Sequence, residues 1–183
     1  LGNSGTGGSK FDQDVIQITV NAPFAFEDSP TWVVTPGVLD EQFDDDGIRT
    51  LDLSGGVDFI RKMRLTENGN IIAVGGINDH FGIMRFNPDL TLDTSFGTNG
   101  FTETDIGEGR HAWEVIEHPD GGWIVSGAEA VVRYTESGEL DPSFGTDGIA
   151  ANPHFDRGNS VAVSADGVIL VAGNAAGQFH LSR

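Results

Sequence analysis

Carboxylates are the side chains in this sequence best placed to do chemistry, and they are densest at Asp44-Asp45-Asp46, with Asp40 and Glu41 upstream and Gly47 closing the run. Oxygen ligands in a glycine-ended loop are what calcium requires, so calcium is the one cofactor the sequence brings forward. The run lacks the full ligand spacing of a calcium loop, and a second reading stands beside the first: an acidic turn whose Asp side chains bond the local backbone. Glu103 and Asp105 could exchange protons with a substrate, but residues two apart share one face of any strand, and an acidic sheet carries many such pairs. The five histidines, His80, His111, His118, His154 and His180, include no pair at a zinc spacing. There is no serine nucleophile elbow, and Gly55-Gly56 and Gly75-Gly76 lack the lysine or helix start of a phosphate-cradling loop. Cysteine is absent, which removes thiolate metal sites, thiol nucleophiles and disulfides. The expectation is a protein that is not an enzyme.

Two charged positions recur in register. Arg85, Arg133 and Arg183 occupy one of them, and Asp40, Asp93 and Asp141 the other. A repeated Arg–Asp pair, inside a repeat or between repeats, would be structural and fix register; two unrelated surface charges are the alternative. Trp32, Trp113 and Trp123 read as core residues. If exposed beside carboxylates, Trp113 or Tyr134 would instead stack on a sugar.

The elements that must position these residues come from a repeat of about 50 residues that starts at Leu39. Leu39-Asp40-Glu-Gln-Phe43 returns as Leu92-Asp93-Thr-Ser-Phe96 and as Leu140-Asp141-Pro-Ser-Phe144. Gly47-Ile48, Gly100-Phe101 and Gly148-Ile149 follow at a fixed offset. A turn into an apolar run comes next: Asn68-Gly69-Asn-Ile-Ile-Ala-Val-Gly75, Asp120-Gly121-Gly-Trp-Ile-Val-Ser-Gly127, Asp166-Gly167-Val-Ile-Leu-Val-Ala-Gly173. Asn-Gly and Asp-Gly tolerate positive φ and mark hairpins, while the apolar runs are β-branched, short and bracketed by glycine. Each repeat therefore reads as four short strands; in the first they are 47–53, 59–65, 70–74 and 81–86. Four strands per repeat is the pattern of a β-propeller blade, because radial stacking places equivalent residues against equivalent neighbours. The expected fold is all-β, about three four-stranded antiparallel blades belonging to a larger propeller. The expected boundaries are 1–37 for a Gly-rich linker and a strand (Val15 to Val20) from a preceding module or a closing strand, then repeats at 39–91, 92–139 and 140–183.

The run from Pro88 to Gly100, its partner from Gly138 to Gly148, and the Asp-Gly-x-Ile-x-Val-x-Gly segment resemble the delta-60 repeat, a bacterial β-propeller-type repeat. The strand ending at Asn21-Ala22-Pro23 resembles the end of an immunoglobulin- or cadherin-like module. The repeat resemblance implies blades from a bacterial protein and supplies no catalytic residue. It departs from the pattern at Asp44-Asp-Asp46, where the other repeats have Gly97-Thr-Asn99 and Gly145-Thr-Asp147.

Lys and Arg number 10 against 28 Asp and Glu, a formal charge of −18 that repels phosphate backbones and anionic lipid surfaces, so nucleic acid is not an expected partner. No apolar run is long enough to insert in a membrane. The expected function is a non-catalytic structural or binding module of a secreted or cell-surface bacterial protein, with further blades of a longer chain or other subunits as partners. Two alternatives remain: an adhesin that binds glycan or protein, and a hydrolase with its site in the central channel.

Overall fold

The computed structural model describes residues 39, 43, 44, 46–151 and 156–183. The chain divides into two compact units, Leu1–Arg49 and Thr50–Arg183. The linker and strand expected over 1–37 lie outside the described residues, as do Asp40, Asp45 and His154.

In the first unit the acidic turn keeps the conformation of its counterparts. Gly47 N donates to Phe43 O at 2.6 Å, as Gly100 N does to Phe96 O and Gly148 N to Phe144 O. Asp44 takes a φ of 50°, matching 53° at Gly97 and 56° at Gly145. Aspartate tolerates this left-handed region because its short polar side chain bonds locally, which is why it can replace glycine here.

The second unit carries β1 (Phe59–Leu65), β2 (Ile71–Ile77), β3 (His80–Phe86), β4 (Phe101–Thr104), β5 (Ala112–Glu117), β6 (Trp123–Gly127), β7 (Ala130–Tyr134), β8 (Ile149–Ala151), β9 (Arg157–Val163), β10 (Ile169–Ala175) and β11 (Gln178–Ser182). They form three antiparallel sheets, β1-β2-β3-β4, β5-β6-β7-β8 and β9-β10-β11, and no helix occurs among the described residues. The Asn-Gly and Asp-Gly signals do close hairpins: Gly69 N bonds Thr66 O, Gly121 N bonds His118 O and Gly167 N bonds Ser164 O.

Two expectations need correcting. The third sheet has three strands among the described residues, not four. The strand expected over 47–53 does not form. Its equivalents, β4 and β8, are the fourth strands of their sheets and hydrogen-bond to β3 and β7. The head of each repeat thus completes the sheet built by the repeat before it. Residues 48–51 occupy the place of β4 with no third strand to pair with among the described residues, and a lone strand of that length cannot hold itself together.

The sheets pack face to face. Ile72, Val74, Phe81 and Ile83 of the first sheet bury against Val115, Trp123, Val125, Val132 and Tyr134 of the second, and Ile124 and Val131 of the second against Val161 and Val171 of the third. Each such side chain contributes about 2 kcal/mol by leaving water. Trp123 is core as expected. Tyr134 is fully buried and its hydroxyl lies 2.7 Å from Thr104 Oγ1, joining the second sheet to the fourth strand of the first. Burial pushes that phenol above its usual range.

The glycine ending each apolar run has a single cause. Gly75, Gly127 and Gly173 each pair with the first strand of the sheet where that strand bulges, between Ile60 and Lys62, between Ala112 and Glu114, and between Gly158 and Ser160. A Cβ on Gly127 would run into His111 O and the Phe81 ring. Gly127→Ala is expected to destabilise the fold by about 2 kcal/mol, read as a lower melting temperature; an unchanged melt would show that the bulge yields without cost.

Candidate functional site

The recurring arginines and aspartates meet in the loops between third and fourth strands. Arg85 is the penultimate residue of β3, and its Nε lies 2.7 Å from Asp93 Oδ2; Asp93 Oδ1 accepts from Ser95 N at 3.0 Å and from Ser95 Oγ at 2.6 Å. Asp141 repeats this with Ser143 N at 2.9 Å and Ser143 Oγ at 2.6 Å, while Arg133 Nε stands 3.0 Å from Asp141 Oδ2 as an ion pair that is out of line for a hydrogen bond. The pairs join the end of one repeat to the head of the next. Arg183 follows Ser182, which pairs with Val171, and so takes the same register place as Arg85 and Arg133; it has no carboxylate partner among the described residues. Arg85 also reaches the neighbouring blade, with Nη1 donating to Glu136 O at 3.1 Å, while its guanidinium lies 4.8 Å from the Phe96 ring of its own loop. Gly97 N to Ser137 O at 2.7 Å and Thr102 Oγ1 to Gly138 O at 2.6 Å complete that junction.

The acidic loop spends the carboxylates that are described. Asp44 Oδ1 lies 3.1 Å from Arg49 Nη2, and Asp46 Oδ1 accepts from Ile48 N at 2.9 Å. Among the described residues no group of three His, Asp or Glu is arranged to hold a metal.

The histidines are paired with acids near the sheet ends. His80 Nδ1 lies 2.5 Å from Glu103 Oε1, and that bond, with Asp105 nearby, raises the imidazole's pKa. Glu103 and Asp105 therefore flank a histidine instead of forming an isolated acid–base dyad. His111 Nε2 lies 2.8 Å from Asp79 Oδ1, and the buried His118 accepts from Asp120 N inside its hairpin. Of the two aromatics weighed as sugar platforms, Tyr134 is enclosed in the core and Trp113 is half-buried beneath the Arg61 guanidinium, 3.9 Å away.

Glu114 went unremarked in the sequence. It is nearly buried on β5 and bonds Lys62 Nζ at 3.2 Å and Arg64 Nη2 at 3.0 Å across the junction between sheets. Its signal is register: Lys62 pairs with Val74 as Glu114 pairs with Ser126, so opposite charges stand at one repeat position of successive sheets.

The outer face of the third sheet is open. Leu170, Phe179 and Leu181 are 45, 75 and 66% exposed, whereas Ile72, Phe81 and Ile83 at the same register places are at 0%. On the first sheet only the edge strand is open on that face: Met63 is 59% exposed, against 0% for Val115 and 5% for Val161, whereas Ala73, Met84 and Phe86 beside it are buried.

Ser95's hydroxyl, its backbone N–H and Arg85 together hold Asp93 below the ordinary value of 3.8. A depressed folded-state pKa adds stability that is present above the unfolded value and lost as pH falls through the folded one. Asp93→Asn is therefore expected to lower the melting temperature at neutral pH and to flatten its decline below about pH 4, seen by calorimetry across acid pH; a variant with the wild-type acid limb would remove Asp93 from the account.

Segments 63–96 and 118–144 match the family model described as a domain of unknown function (DUF5122) beta-propeller, and both matches end at the phenylalanine of a repeat head, Phe96 or Phe144. No curated protein and no solved structure matches the chain. The match and the three stacked antiparallel sheets agree on the fold: the described residues are all-β, and their sheets are blades of a β-propeller.

Proposed function

We propose that the chain is a non-catalytic scaffold and binding module, built of delta-60-type repeats and belonging to a secreted or surface bacterial protein, that packs its open third blade against another blade of the same repeat. The observation carrying this reading is the contrast between exposed Leu170, Phe179 and Leu181 and their buried counterparts Ile72, Phe81 and Ile83. An apolar patch of this kind on an otherwise acidic surface is where association occurs. Met63 on the first blade is the equivalent of Val115 and Val161, with which the later blades meet their predecessors, and its exposure supplies one complementary contact, although Ala73, Met84 and Phe86 on the same face are already buried. The partner blade belongs to a longer chain or to another subunit, and the role requires no resident cofactor. A sugar-binding adhesin has less support, because Tyr134 is buried and Trp113 is covered.

Light scattering after size exclusion tests the stacking. The 183-residue chain is expected to self-associate with concentration, and Leu181→Asp with Phe179→Asp to reduce that association while preserving the strand signal in circular dichroism. A cooperative, concentration-independent monomer would overturn the reading.

A further inference from the structure

The first strands of the blades invert the charge of the molecule. β1, β5 and β9 together carry Arg61, Lys62, Arg64 and Arg157 against Glu114 and Glu117, a net +2 in a chain of −18. Each of these strands bulges at the same place, and the extra residues are Arg61, Trp113 and Asn159. β5 packs against β1 on one side and β9 on the other, so an arginine reaches Trp113 from each neighbouring blade. Arg61 Cζ lies 3.9 Å from the indole centroid and Arg157 Cζ 5.2 Å from it, with Arg61 also 4.9 Å from the Phe59 ring.

Neither guanidinium has a carboxylate partner among the described residues, although Arg49, Lys62, Arg64, Arg85, Arg110 and Arg133 all do. In a chain with 28 acids and 10 bases, two exposed and unpaired arginines converging on one indole leave positive charge available to a ligand. A guanidinium stacked on a ring keeps its N–H donors in its own plane, where a planar carboxylate is received through two parallel bonds. The ring also limits the arginine's rotamers before binding, so less entropy is lost on association. The surrounding field of −18 selects for low charge: each extra negative charge on a ligand adds repulsion, which favours a single carboxylate over a phosphate or a polyanion.

We propose that Arg61, Trp113 and Arg157 form a binding site for the carboxylate of a singly charged organic acid. The probes are galacturonate, its neutral methyl ester, N-acetylglycinate and inorganic phosphate, titrated at millimolar concentration and low salt while the Trp113 indole N–H and the Arg61 and Arg157 Nε–H resonances are followed by NMR. Saturable shifts are expected with one or both carboxylates and none with the ester. If both acids bind, the carboxylate alone is recognised; if only galacturonate binds, the sugar ring is read as well. Arg61→Gln is expected to weaken binding about tenfold, and Arg61→Lys, which keeps the charge and loses the fork, to weaken it too, each with an otherwise unchanged amide spectrum. Equal shifts with the ester, wild-type affinity in Arg61→Gln, tighter binding of phosphate, or no saturable shift with either acid would overturn the proposal.

Discussion

A sheet with two apolar faces is stable only when both are covered, and that constraint organises this chain. The middle blade satisfies it, with Trp123 and Val125 against the first blade and Ile124 and Val131 against the third. Successive residues of one strand serve opposite neighbours because strand side chains alternate. The run Trp-Ile-Val-Ser is therefore continuous in hydrophobic character where a sheet with one wet face would alternate. The loops, the bulges and the inter-blade charges follow from keeping these faces in register.

Register is held at two levels. Within a blade, Arg85 and Asp93 pin the loop that leads to the fourth strand, and Ser95 holds the aspartate ionised. Between blades, Glu114 takes both Lys62 and Arg64, and Arg85 donates to Glu136 O. A nearly buried carboxylate with two cationic partners is costly to displace, since sliding one blade along the next would leave it uncompensated. Apolar packing sets which faces meet, and the charges set how they align.

Much of this was legible in the sequence because it repeats. The anchors located the hairpins at Asn68-Gly69, Asp120-Gly121 and Asp166-Gly167, the apolar centre strands, and the Arg and Asp positions that pair. What escaped was whatever depends on the neighbouring blade. Residues 47–53 carry a strand's composition and form none, because a fourth strand exists only by pairing with the third strand of the previous repeat. Tyr134 looked like an available aromatic, but its ring is enclosed by a blade contributed from earlier in the chain. Arg61 and Trp113 gave no local sign of meeting, since they are bulge residues on different sheets.

The offset between repeat and sheet also shapes how the protein is made. The first sheet cannot close until residues 101–104, in the second repeat, have been synthesised, and the second waits in the same way for 149–151. A nascent chain therefore always trails one incomplete blade with an unpaired edge, the state most exposed to mispairing during translation. The Arg–Asp closures lie in the segments just ahead of those last strands, so each loop can be set before its strand arrives. Synthesis proceeds as a ratchet in which every new repeat first finishes its predecessor and only then begins a blade of its own.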